Sequence, residues 1–205
     1  MALNLGGGGD WLPYCKYNAK AGRWYAKVEG KEVEVVNPVF VADFQNIKTG
    51  WYWFKEGTAP QIVLDPNLTV PANKPEATYT DSKGKLRDCY KRGFTLHLFS
   101  KNSFGGVVEW SGASMHVNNA INELYEQFLA GAAANPGQMP VIRATGSVPM
   151  KDAQGTNYKP TFAIEKWVPR PAEFDEEVAA PAAAPSNANA APAHIEPPKA
   201  AVSEF

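Results

Sequence analysis

A mainly β domain with one helix before its last two strands is the fold class this sequence predicts, and three observations predict it. Short runs rich in Val, Phe, Tyr and Trp alternate with Gly, Pro and Asn turn signals from about residue 23 to residue 167. One clear helical periodicity occurs, with Val117, Ile121, Leu124, Tyr125 and Phe128 on a single stripe. Beyond residue 172 the composition turns to Ala, Pro and acid.

The elements follow in order. Residues 1–10 carry Gly6 to Gly9 and no basic or long apolar stretch, so they read as a flexible leader rather than a secretory signal. Residues 23–28 and 31–36 flank Glu29-Gly30 and predict a hairpin. Residues 38–45 and 51–54 predict a second pair around residues 46–50. Residues 55–90 are polar and dotted with proline, an excursion with a short strand at Ile62-Val63-Leu64. A third pair, residues 93–101 and 107–110, surrounds Asn102 to Gly106. Ser114 is a candidate N-cap for the helix, which Gly131 and Asn135-Pro136-Gly137 stop. Strands over 141–148 and 161–167 close the domain before Pro169 and Pro171.

Strands, one helix, then two strands is the order of a five-stranded OB-fold-like barrel, whose strand face and loops bind oligonucleotides or oligosaccharides. The hairpin at 23–36 is extra to that plan. The expected organisation is a leader over 1–10, an OB-like domain over 11–172, and a disordered tail over 173–205. Residues 179–201 hold five prolines and no periodic apolar face, too little to offset the entropy of ordering.

Charge follows the same division. Residues 1–172 hold 19 Lys and Arg against 15 Asp and Glu, whereas residues 173–205 hold Lys199 and six acids. A mildly basic body with an acidic tail is a pattern of nucleic-acid binders. No run of apolar residues is long enough for a membrane helix, so no membrane partner is expected. Cys15 and Cys89 stand alone, without a CxxC or a histidine at ligand spacing, and read as inert thiols.

Nothing in the chain spells catalysis. HExxH, GxSxG and the P-loop pattern are absent, and His97, His116 and His194 are scattered. No catalytic residue, metal or cofactor is therefore expected. Aromatic and cationic residues instead interleave, as in Arg23-Trp24-Tyr25, Trp51-Tyr52-Trp53-Phe54-Lys55 and Tyr90-Lys91-Arg92-Gly93-Phe94. Single-stranded nucleic acid is held by this chemistry, because bases stack on rings while Lys and Arg neutralise phosphates. Strand alternation puts Phe94, Leu96 and Leu98 inward, leaving His97, Phe99 and Lys101 outward. Arg143 reaches the outer face if Ile142 and Ala144 point in. The candidate DNA-binding residues are Lys48, Trp51, Trp53, Lys55, Lys91, Arg92, His97, Phe99, Lys101 and Arg143. A non-catalytic module for a carbohydrate or a protein partner is the alternative. The acidic tail, ending in Glu204 and Phe205, is expected to compete for the domain's own groove or to dock on another protein.

The chain resembles the OB-fold single-stranded DNA-binding proteins encoded by tailed phages and prophages. The resemblance rests on Thr49-Gly50-Trp51 with Phe54 and Gly57-Thr58-Ala59-Pro60, and on Lys91-Arg92-Gly93-Phe94. It extends to Pro140-Val141-Ile142-Arg143, Tyr158-Lys159-Pro160 and Trp167-Val168-Pro169-Arg170-Pro171. It covers about residues 35–172. It implies sequence-independent coating of single strands in phage DNA replication or recombination, in the host bacterial cytoplasm. It also implies a tail that recruits replication or recombination proteins, and leaves a homo-oligomer open. The tail departs from the family pattern, since only Glu204 adjoins the terminal Phe205 and the other acids of its cluster lie near residues 173–177.

Overall fold

The computed structural model describes residues 12–28, 30–55, 58–152 and 155–176. Ten strands form one mixed sheet, and two more form a small separate ribbon. The sheet does not close on itself.

The sheet is built around β9 (Lys91–Ser100), whose Phe94, Leu96 and Leu98 point into the core. One edge of β9 pairs with β10 (Gly106–Gly112) through a tight connection, α1 (Lys101–Phe104). The other edge takes two strands in tandem. β4 (Val39–Ala42) pairs with its C-terminal end and β5 (Lys48–Trp53) with its N-terminal end. A turn of 3-10 helix over Phe44–Asn46 separates the two and buries Phe44. The hairpin expected between these segments is therefore absent: both lie along one neighbour, as a single strand broken in the middle. The alternation of apolar residues is the same in either arrangement, and only the long-range pairing decides.

From that break the sheet forks. β11 (Gln138–Asp152) continues from β4 and β12 (Gly155–Pro169) from β11, while β6 (Gln61–Leu64) pairs with β5. β1 (Tyr14–Asn18) runs parallel to β10, and β2 (Arg23–Val28) and β3 (Lys31–Val35) extend the sheet from it. The predicted hairpin at 23–36 thus exists and widens the sheet. The excursion carries β7 (Thr78–Thr80) and β8 (Leu86–Asp88) as a two-stranded ribbon.

The predicted helix is α2 (Met115–Ala132), with Ser114 at its N-cap position but making no side-chain capping bond. Its stripe of Val117, Ile121, Leu124 and Phe128 is buried against Phe44, Phe94 and Ile142. Phe128 stacks on Trp167 of β12, whose ring lies so close to Gly131 that any side chain there would collide with it. A second apolar cluster sits on the opposite sheet face, where Val41, Met139 and Val141 are covered by Phe174. Phe174 belongs to α3 (Glu173–Glu176), so the domain does not stop at 172. The sequence expectation placed these residues in a disordered tail because their acids hide one buried ring.

Candidate nucleic-acid interface

The predicted site residues divide between two faces of the sheet. Opposite residues in an antiparallel pair share a face. Trp51 faces Arg92, and Thr49 faces the core residue Phe94, so Trp51 and Arg92 lie on the core side, beyond the end of the core. Tyr52 faces Lys91, and Lys48 faces Thr95, which puts Lys48, Lys91, His97 and Phe99 on the outer side. Trp51 and Arg92 thus lie on one face and Lys48, Lys91, His97 and Phe99 on the other, the two faces meeting at the N-terminal end of β9, where Lys91 and Arg92 line one trough.

Trp51 is half-buried and its indole N–H donates to the Ala72 carbonyl at 2.8 Å. Arg92 lies over its ring at 5.2 Å and Lys74 at 5.8 Å. Both Arg92 guanidinium arms reach Asp65, at 2.8 and 2.6 Å. Asp65 also accepts from the Thr49 hydroxyl at 2.6 Å and the Ala72 amide at 2.8 Å. Arg92 and these bonds hold its carboxyl well below the usual range. Trp51 and Arg92 thus pin the excursion to β5.

Trp53 is likewise half-buried. Tyr90 meets it edge-on at 5.7 Å, and Lys55 lies 6.0 Å from its ring. It lines a cavity of about 390 Å³ with Tyr52, Phe54, Tyr79, Cys89 and Lys91. Asp88, the one carboxylate among the described residues of that wall, is paired with Lys74 at 2.5 Å. Lys91 and Ala113 also border a wide trough of about 790 Å³, lined by Lys20, Arg92, Ser114, His116, Asn118, Asn119 and Asn157. Among the described residues no carboxylate lines the trough, and the positive end of the α2 dipole faces it.

Gly93 makes the junction. A side chain there would meet the Gly112 carbonyl at 2.4 Å and the Tyr52 ring at 2.7 Å. Without one, Tyr52 lies flat on β9, and its hydroxyl bonds Thr95, which bonds Ser111, which donates to Glu109. Burial pushes the Tyr52 phenol up to about 12, so it remains a neutral partner in this chain.

On the outer face, Lys48 is exposed and His97 half-buried, with burial lowering the imidazole's proton affinity. Phe99 faces outward but is half-buried rather than open. Phe174 packs edge-on against it at 6.1 Å and is itself only 3% exposed. Glu173 pairs with Lys101 at 2.9 Å, and Arg170 joins Asp43 and Asp175, both at 2.9 Å, while lying over Phe174. Arg143 does face outward, since Ile142 and Ala144 are buried, and it pairs with Glu165. Glu204 and Phe205 lie outside the described residues.

Sequence reasoning missed Lys20, Tyr79, Asn118, Asn119, Asn157, Arg170 and Phe174. Tyr90, beside Lys91, was visible as part of an aromatic–basic run. The others gather only through long-range pairing. Among the described residues no group of three or more His, Cys, Asp or Glu could hold a metal ion. Cys15 and Cys89 are both buried free thiols, and burial pushes the Cys15 thiol up. No helix among the described residues is long and apolar enough to cross a membrane. Comparison with known protein families, curated proteins and solved structures gives no match.

Proposed function

We propose that this chain binds single-stranded DNA, independently of sequence and without catalysing a reaction on it. The observation that carries the reading is the junction at Lys91, where an aromatic cavity walled by Trp53 opens beside a trough of cations and amides. Bases stack on rings and phosphates seek cations at the spacing of one nucleotide, so the two must adjoin. The run β12-β11-β4-β9-β10, with the helix between β10 and β11, agrees with the strand order of an OB-like barrel opened by β1–β3. That agreement and the motif resemblance support a role in phage DNA replication or recombination, inside the host cell.

The acidic segment supports self-competition. Glu173 and Phe174 occupy Lys101 and Phe99 as a phosphate and a base would. A strand extending along the outer face of β9 would displace them. Recruitment of replication proteins belongs to the residues beyond, with Glu204 and Phe205 as the docking end, and self-association along the strand is compatible with this role.

The test is quenching of tryptophan fluorescence by oligo-dT at low salt. Trp53→Ala and Lys91→Ala are each expected to weaken binding about tenfold. Absence of both quenching and a gel shift with the unaltered chain at low salt would overturn the reading.

A further inference from the structure

Phe54 walls two cavities. One is the Trp53 cavity; the other, of about 720 Å³, lies against β1 and β10, between Tyr14 and the Phe54–Pro60 end of the β5–β6 hairpin. Tyr14 is 43% exposed and Phe54 48%, while the strand residues Cys15 and Trp110 are sealed. Lys16 and Lys27 stand at the rim. Lys16 lies over Tyr25 at 5.6 Å and pairs with Glu32.

We infer that this second cavity is a base-binding pocket for the same DNA strand, entered from the Trp53 cavity around the Phe54 ring. The inference rests on the strand-binding reading and extends it to a part of the chain, residues 12–28, that the sequence resemblance does not cover. Continuity and charge choose the occupant. The cavity shares its Phe54 wall with the proposed site, and among the described residues Lys27 stands at it beside Lys16, a cation for a phosphate flanking the bound base. Its wall supplies an acceptor as well. Ser111 donates to Glu109 Oε1 at 3.0 Å and is itself fixed through Thr95 to Tyr52. The remaining lone pairs of the Glu109 carboxylate can take an N–H from the pairing edge of any base, since each of the four bases carries at least one. Such an acceptor tolerates every sequence.

Oligo-dT carrying 5-iodouracil, photo-crosslinked to the full chain and mapped by mass spectrometry, tests the path. Crosslinks are expected at Tyr14 as well as Trp53. In a length series, the double variant Tyr14→Ser, Lys27→Ser is expected to match the unaltered chain on the shortest oligonucleotides that bind. It should fall about tenfold behind on longer ones. Both substitutions are on exposed side chains, so folding is preserved and circular dichroism checks it. A crosslink at Trp53 with none at Tyr14, or identical affinities at every length, overturns the second pocket and leaves the first. No crosslink at either residue overturns both.

Discussion

Asp65 holds three separate stretches of the chain through one carboxylate: Thr49 on β5, Ala72 in the excursion and Arg92 on β9. Its side chain is 3% exposed and that of Arg92 39%, so replacing it removes a buried charged acceptor from a guanidinium that still reaches solvent. Asp65→Asn is expected to cost about 1–2 kcal/mol at neutral pH, since solvent reaches the Arg92 side of the pair. The sign with pH follows from the depressed carboxyl. Its folded-state value lies below the ordinary 3.8, so the stabilisation is present above that value and lost as pH falls toward the folded one. Urea midpoints of the two proteins should therefore differ at pH 7 and converge in acid; equal midpoints at pH 7 would remove the argument. Gly93 is the second residue with a sharp expectation. Gly93→Ala forces a methyl group into the Gly112 carbonyl, which is backbone and cannot swing away. Thermal unfolding should show a loss of about 1–3 kcal/mol.

At the scale of elements, the docked α3 has two opposed consequences. Phe174 seals the apolar cluster of Val41, Met139 and Val141, so removing its ring destabilises the domain. The same ring covers Phe99, so removing it uncovers a candidate stacking surface. Phe174→Ala, or deletion of residues 173–205, is expected to lower the melting temperature and yet tighten binding to single-stranded DNA. Unchanged affinity in both variants would exclude self-competition. Elements whose local pattern matched their final state were legible in the sequence: α2 from its stripe, β9 and β10 from their turn, β2 and β3 from Glu29-Gly30. β4 and β5 were legible as strands but not as partners of β9, because alternation records burial and not the neighbour. α3 was illegible because one phenylalanine among acids resembles a solvated segment until the face it covers is known. The same reason hid the trough, whose Lys20, Asn118 and Asn157 come from the β1–β2 turn, α2 and β12.

For the whole molecule, the distribution of charge matters more than its sum. The chain carries a formal net charge of −1, which by itself would repel a polyanion. Attraction must then come from local fields, and the trough beside α2 brings Lys20 and Lys91 together where, among the described residues, no carboxylate lines the wall. Binding that depends on such a field weakens with salt as condensed counterions are released, with a slope of about 0.7 per phosphate neutralised on a single strand. Lys20→Ala and Lys91→Ala should each flatten the plot of log affinity against log salt by about that amount, and equally for dT, dA and dC oligonucleotides. Trp53→Ala should lower affinity by about 1–3 kcal/mol and leave the slope unchanged, because stacking releases no ions. The pair of results separates the two halves of the junction. If Lys91→Ala lost affinity with an unaltered slope, the lysine would be packing beside Trp53 rather than meeting a phosphate, and the path of the strand across β9 would have to be redrawn.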